Sequence, residues 1–167
     1  MQTPNVRLRP VLVEDAEFIC TLVTDPAWLQ YIGDRGVNDK HTAQQFIVNS
    51  IQPVYAQKGM GLMVVEDAES EQTWGLCGLL QRDFLDAPDL GFALLPVARG
   101  KGIALAASEL SLRAAEKMGH THVYAYTSAI NDASQGLIKR LDFEFERHIS
   151  PHGEELYLFK KSFSPLS

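Results

Sequence analysis

The sequence contains few cysteines, and none in a pattern that suggests a metal centre. Its 167 residues include two, Cys20 and Cys77, and both lie among apolar neighbours. We therefore expect each to be a small buried thiol. No Cys/His spacing fits a zinc site, so the sequence predicts no metal.

Basic residues and long apolar runs are also scarce. Lys and Arg number 15 against 21 Asp and Glu, for a formal net charge of −6, which argues against nucleic acid as the main partner. No apolar run approaches the roughly 20 residues of a membrane span, and the first residues form no hydrophobic signal segment. We expect a cytoplasmic protein without a membrane partner, with residues 1–167 as a single domain.

One stretch, Asp89 to Met118, organises the rest of the chain. It opens with a run that is apolar on both faces, as in a buried central strand, and Pro96 marks the strand's end. A basic glycine loop follows, and apolar residues then recur at helical spacing from Ile103. The free N–H groups of this loop and of the first helical turn favour a phosphate or pyrophosphate ligand.

Several interpretations of this loop compete. A Walker loop needs Ser or Thr after its lysine, but Gly102 follows Lys101. A dinucleotide fingerprint needs a third glycine where Leu105 stands, and it belongs on the first βα unit. An ordinary solvated turn remains possible for so short a match. The pattern R-x-x-G-x-A, with Arg99, Gly102 and Ala104, resembles the pyrophosphate loop of the GNAT acyltransferase superfamily.

The order of predicted elements tests that resemblance over the whole chain. Periodicity and turn signals predict a strand, two helices, a three-strand meander, a helix, a strand, a helix and two strands. The predicted ranges are Val6–Arg9, Glu14–Val23, Thr42–Gln57, Gly61–Glu66, Thr73–Gln81, Asp89–Pro96, Ile103–Met118, Thr121–Thr127, Asn131–Leu141, Phe143–Ile149 and Glu155–Lys160, with a long loop from Trp28 to Asp39.

Local signals add detail to these ranges. Asp25-Pro26 stops the first helix, and Pro53 lies near the end of the second helix or at a kink. The segment 82–88 is an acidic turn. Tyr124 and Tyr126 share one face of their strand, and Asn131 is a natural N-cap.

This order resembles the GNAT fold across essentially the whole chain. The resemblance implies a mixed α/β (α+β) fold. Its mostly antiparallel sheet would have about seven strands and about four flanking helices, and it would splay at a central parallel pair. Asn131, Ser134 and Phe143 fit the N-x-x-S…G-F pattern of the branch that includes RimJ/RimL-type ribosomal-protein N-terminal acetyltransferases. Asp142 stands where that branch usually has Gly, and Asp tolerates left-handed conformations fairly well.

The resemblance implies acetyl-CoA as the acyl donor. Its pantetheine arm would lie in the splayed gap, bonded to the backbone of Phe92 and Leu94 like an added strand. Its pyrophosphate would lie on the loop, whose residues are Arg99, Gly100, Lys101, Gly102, Ile103 and Ala104. Asn131 would reach the pantetheine, and Ser134 would protonate the departing thiolate unless its hydroxyl only caps the helix.

The expected chemistry is direct attack of a neutral primary amine on the thioester. A carboxylate or histidine should take the proton, and a backbone N–H of the central strand should hold the oxyanion. Asp89 is the best candidate base because it opens the central strand, where some GNAT members carry a glutamate base. Its alternative role is to cap the turn after Pro88.

The sequence says less about the acceptor amine than about the acyl donor. Trp28, Tyr31 and Tyr124 are candidate substrate contacts, as is Glu155 near the start of the last strand; core packing or a solvated edge is the alternative for each. The resemblance implies the N-terminal α-amine of a ribosomal or other protein. A polyamine, amino acid or antibiotic acceptor, or a non-catalytic CoA-binding sensor, is the alternative, and the protein could be a monomer or a homodimer.

Overall fold

The computed structural model describes residues 4–164, and seven strands and five α-helices lie along this part of the chain. The strands are β1 (Val6–Pro10), β2 (Gly61–Asp67), β3 (Thr73–Leu80), β4 (Asp89–Leu94), β5 (His122–Ser128), β6 (Glu144–Ile149) and β7 (Leu156–Ser162). The helices are α1 (Ala16–Val23), α2 (Pro26–Tyr31), α3 (Lys40–Phe46), α4 (Ile103–Lys117) and α5 (Asp132–Arg140).

The strands form one sheet in the order β1-β2-β3-β4-β5-β7-β6. Neighbouring strands are antiparallel except β4 and β5 at the centre, which run parallel because α4 crosses between them. The predicted mixed, mostly antiparallel seven-stranded sheet with a central parallel pair is therefore confirmed.

Helices cover both faces of the sheet. Successive strand residues point to opposite faces, so Val64 and Leu76 pack with α1 and α3, whereas Val65 and Cys77 pack with α4 and α5. Phe159 of β7 lies on the α4 side and is only 2% exposed. Full burial of one such side chain stabilises the fold by about 1.5–3 kcal/mol.

Loops rather than a helix cover one part of the sheet. Val123 and Ala125 of β5 pack on the α4 side, so Tyr124 and Tyr126, which alternate with them, face the α1 side. There Tyr124 packs with Leu85 of the β3–β4 connection. The β3–β4 connection therefore covers this end of the α1 face.

Helix α2 was not predicted. Asp25 caps it, since its Oδ2 accepts a hydrogen bond from the Ala27 N–H at 3.1 Å, and Pro26 occupies the first helical turn. The prediction of a loop from Trp28 was therefore wrong up to Tyr31, where the helix ends. Because of α2, five α-helices flank the sheet in this part of the chain rather than about four.

The second predicted helix, Thr42–Gln57, changes geometry along its length. After α3, residues Ile47–Ile51 form a π turn and Gln52–Ala56 a 3₁₀ turn. Pro53 lies in that last turn and has no N–H to donate to an α-helical ladder. The predicted helix end or kink at Pro53 agrees with this transition.

Asp142 adopts the left-handed conformation, with φ 67°, immediately after α5. The next N–H, that of Phe143, donates to the Ile138 carbonyl at 3.2 Å and closes the end of the helix. The position therefore has the geometry for which glycine is preferred, as expected.

A network of ion pairs joins β1 to β2. Glu66 is 4% exposed, and its two carboxylate oxygens accept hydrogen bonds from the Nε atoms of Arg7 at 2.8 Å and Arg9 at 2.9 Å. Burial alone would raise the pKa of Glu66, but the bonds from Arg9 and Arg7 lower it below its usual range. The network therefore stabilises the fold only while Glu66 is ionised.

The two cysteines differ in burial. Cys77 is fully buried beside the hydroxyls of Ser108 and Ser111, and burial raises the pKa of its thiol to about 11. Cys20 is partly exposed. The expected burial holds for Cys77 and only in part for Cys20.

Candidate active site

A gap opens between the two central parallel strands. β4 and β5 share one register pair, Asp89 with Tyr124, next to a bond from the Tyr124 N–H to the Pro88 carbonyl at 2.9 Å. Beyond this pair, β4 continues to Leu94 and β5 to Ser128 without pairing to one another. The strands therefore separate toward their carboxyl ends, as the GNAT resemblance predicted.

The backbone of Phe92 and Leu94 faces this gap. The Leu95 N–H donates to the Trp74 carbonyl of β3 at 2.8 Å, so every second residue back along β4 directs its backbone groups toward β3. The intervening residues direct theirs toward β5, as the Pro88 carbonyl does. The gap is thus edged by donors and acceptors to which an extended amide-bearing ligand can bond like a strand.

The loop that follows β4 is a cradle of free N–H groups. Gly100 and Gly102 are left-handed, with φ 74° and 77°, and α4 begins directly after them. The first backbone bond of this helix runs from the Ala106 N–H to the Gly102 carbonyl at 3.1 Å. Among the described residues, the six N–H groups of 100–105 have no hydrogen-bond partner. Such a cluster, at the positive end of a helix dipole, binds anions.

Arg99 fixes the position of this loop. Its Nη2 donates to Asp25 Oδ2 at 2.7 Å and to the Leu94 carbonyl at 3.1 Å. It therefore ties the cradle to the first turn of α2 and to the end of β4, and Asp25 offsets part of its charge. Lys101 is exposed beside it.

Asn131 and Ser134 lie at the start of α5, which follows β5. Asn131 Oδ1 accepts a hydrogen bond from the Ser134 N–H at 3.1 Å, so Asn131 is the helix cap, as predicted. Within residues 4–164 the Ser134 hydroxyl makes no hydrogen bond. Capping is therefore not its role, and the hydroxyl is left to a ligand or to solvent.

Asp89 is a buried carboxyl at the start of the gap. It is 3% exposed, and Arg82 Nε lies 3.3 Å from its Oδ1. Burial raises the pKa of Asp89 to about 6, although the charge of Arg82 acts in the opposite direction. A carboxylate with such a pKa is ionised at neutral pH and is a stronger base than an ordinary aspartate.

The side chains of the expected substrate residues contact groups other than Asp89, although Tyr124 is its register partner. Trp28 is buried in the core between α1 and α3, and Tyr31 is 40% exposed on α2. The buried Tyr124 donates its hydroxyl to Asp86 Oδ1 at 2.7 Å, while Glu155 pairs with His148 at 2.9 Å. None of these contacts involves Asp89.

Tyr126, which the sequence placed on the same face of β5 as Tyr124, contacts Arg82, the residue that bonds to the candidate base. The Arg82 guanidinium carbon lies 5.8 Å from the centroid of the Tyr126 ring, and Phe84 contacts that ring edge-on at 5.9 Å. Sequence analysis did not single out Arg82 or Phe84, because both lie in a turn noted only for its acidity. The signal available was the position of Arg82 two residues after the end of β3, whose last residue, Leu80, pairs with Asp89.

No group of three or more His, Cys, Asp or Glu side chains within residues 4–164 is arranged to hold a metal ion. In the same range no helix is long and apolar enough to cross a membrane.

Known proteins share this architecture. A family model described as an acetyltransferase (GNAT) domain matches residues 5–144. The structure is similar to RimL, a ribosomal-protein α-N-acetyltransferase, in complex with coenzyme A, with TM-score 0.81 and 14% identity over 95% of this chain and 94% of that one. It is also similar to Mycobacterium smegmatis RimJ in complex with CoA-disulfide, with TM-score 0.79 and 19% identity over 94% and 81%.

A third similar structure is the ribosomal-protein-S5-alanine acetyltransferase of Vibrio fischeri. Its TM-score is 0.78 with 16% identity, and the match covers 97% of this chain and 95% of that one. At these identities the likeness establishes the fold, and the family is established by the model that matches most of the chain. This protein belongs to the GNAT family of acetyltransferases, which use acetyl-CoA.

Proposed function

We propose that this protein is a single-domain N-acetyltransferase of RimJ/RimL type, which moves the acetyl group of acetyl-CoA to the α-amine of a protein N-terminus. One observation carries the proposal: the gap between β4 and β5 leads onto the cradle of unpaired N–H groups at 100–105. The gap fits the amide-bearing pantetheine arm, and the cradle fits the pyrophosphate.

The residues around the gap supply the acid–base steps. Asp89 takes one proton from the acceptor's ammonium group, and the neutral amine then attacks the thioester carbonyl. A backbone N–H of β4 that faces the gap, from Phe92 or Leu94, stabilises the oxyanion. As the C–N bond forms and the C–S bond breaks, the Ser134 hydroxyl protonates the departing thiolate. The second proton of the amine nitrogen returns to Ser134 through water.

The pKa of the acceptor itself favours an α-amine over a lysine side chain, whatever the pKa of the base. Proton transfer to a base of pKa about 6 is uphill by about 2 units from an α-ammonium of pKa near 8, and by about 4 units from a lysine ammonium near 10.4. The difference is about 3 kcal/mol, or roughly 100-fold in the population of the reactive state. This preference supports an N-terminal acceptor.

A panel of acceptors tests the proposal through thiol release from acetyl-CoA. It contains a lysine-free peptide with a free N-terminus, an N-terminally blocked peptide with one internal lysine, and a polyamine. We expect the free N-terminus to be acetylated fastest, with a product heavier by one acetyl group. Transfer to the polyamine alone would show that the acceptor is a small-molecule amine and not a protein N-terminus. Binding of acetyl-CoA without transfer to any amine would indicate a sensor.

A further inference from the structure

Arg82 is the charged side chain that contacts the candidate base. It lies in the connection between β3 and β4, and its Nε is 3.3 Å from Asp89 Oδ1. The guanidinium lies over the Tyr126 ring at 5.8 Å, and Phe84 packs between the rings of Tyr126 and His152 with centroid distances of 5.9 and 6.2 Å. The Tyr126 ring, supported by Phe84, therefore packs against the guanidinium and holds it beside the carboxylate.

The surroundings of Asp89 offer few other charges. From β3, its register partner is the apolar Leu80. From β5, its register partner Tyr124 donates to the carboxylate of Asp86. Tyr126 of the same strand faces Asp89 with a phenol that is neutral at physiological pH, because burial raises its pKa. The charge of Arg35, in the α2–α3 connection, acts to lower the pKa of Tyr126. Within the described residues, Arg82 is thus the one cation whose charge acts directly on the Asp89 carboxyl.

The contact is one-sided. Among the described side chains, only Arg82 bonds to the carboxylate, through Oδ1, and the backbone N–H of Asp89 itself also bonds to the carboxyl. A carboxylate that is held by one oxygen keeps the other for a proton. Without a nearby cation, burial raises the pKa of such a carboxyl further, and its protonated form cannot act as a base.

We propose that Arg82 is a positioning residue for acetyl transfer: it holds Asp89 ionised and oriented by Oδ1, so that Oδ2 receives the proton of the acceptor amine. This inference rests on the proposed function, in which Asp89 is the base. It differs from a purely structural role, in which Arg82 would only anchor the β3–β4 connection.

The pH dependence of kcat/KM separates the two roles. The acid limb of this profile, where activity falls as Asp89 becomes protonated, should lie near pH 6 in wild type. In Arg82→Gln we expect it to move to higher pH by about one unit. The reason is that an opposite charge within about 4–6 Å lowers a carboxyl pKa by 1–3 units, and the substitution removes that charge. The loss of activity is then about fivefold at pH 6 and small at pH 9. Arg82→Lys keeps the charge and should restore the limb. Arg147→Gln, on the exposed strand β6, is the matched control and should leave the profile unchanged.

A loss by the same factor at every pH, or an unchanged acid limb, in Arg82→Gln would overturn the inference. Carbon-13 NMR titration of the Asp89 carboxyl in wild type, Arg82→Lys and Arg82→Gln tests the same shift without turnover. If the pKa of Asp89 is higher in Arg82→Gln than in wild type but no amine is acetylated, the proposed function fails and the electrostatic role of Arg82 stands. If turnover occurs and Asp89→Asn keeps the acid limb, Asp89 is not the base and the positioning role falls with it.

Discussion

A negative charge placed in the N–H cradle should abolish tight binding of acetyl-CoA. Gly100 has φ 74°, and the space where its side chain would start is open. Aspartate tolerates this conformation and suits the N-terminal end of α4, so Gly100→Asp should fold. At about 5 Å from a bound phosphate, with an effective dielectric constant of about 20, the added charge opposes binding by about 3 kcal/mol. This corresponds to a dissociation constant roughly 100-fold larger.

The matched control is the same substitution at the other end of the same helix. Gly119 also has a positive φ, 91°, and open space around it. It lies beyond the 15 residues of α4, about 22 Å from the cradle and well outside the Debye length of about 8 Å. Calorimetric titration should therefore give near wild-type affinity for Gly119→Asp. Equal weakening in both variants, or none in Gly100→Asp while its melting temperature is unchanged, would refute the assignment of the cradle to pyrophosphate.

Three further predictions concern catalysis and stability. Ser134→Ala should lower kcat while leaving the dissociation constant of acetyl-CoA unchanged, and equal effects on both would assign Ser134 to binding. Phe159→Ala should destabilise the fold by about 3–5 kcal/mol in urea denaturation, because it empties a fully buried site. Glu66→Gln should reduce stability by about 1–3 kcal/mol at pH 7, because it removes the negative charge and one of the two oxygens that accept from Arg7 and Arg9. The pKa of Glu66 is depressed in the folded state, so its stabilisation is present above the unfolded pKa near 4.3 and is lost as pH falls. Wild type and Glu66→Gln should accordingly converge in urea midpoint below pH 4, and a constant difference would contradict this.

The sheet and the cradle were predictable because their signals are local and repeated along the chain. Alternation and apolar runs predicted both ends of all seven strands to within two residues. The loop glycines at 100 and 102 predicted a sharp turn that both realise with positive φ. Asn131 followed by an amphipathic segment predicted the helix cap that its side chain makes.

Helix α2 was missed because Asp25-Pro26, the signal for its start, was interpreted as the end of the preceding helix, α1. Asp25-Pro26 ends α1, but the same pair forms the cap and the first turn of the next helix. Proline at the first helical position is itself a start signal. With only six residues, α2 is too short for apolar periodicity to reveal it.

The surroundings of the candidate base were not predictable from local pattern. Alternation placed Tyr124 and Tyr126 on the same face of β5, but it could not tell that Tyr124 bonds to Asp86 while Tyr126 lies under Arg82. Those contacts depend on how the β3–β4 connection folds back over the sheet. Neither hydrophobic period nor motif spacing encodes that path.

Titration of the purified wild-type protein with acetyl-CoA in a calorimeter, with ATP and NAD as controls, tests the central claim most directly. The gap between β4 and β5 and the cradle beside it predict saturable binding of acetyl-CoA at one site per chain, with no comparable binding of ATP or NAD. A folded protein that shows no heat of binding with acetyl-CoA, or that binds all three ligands alike, would contradict the account.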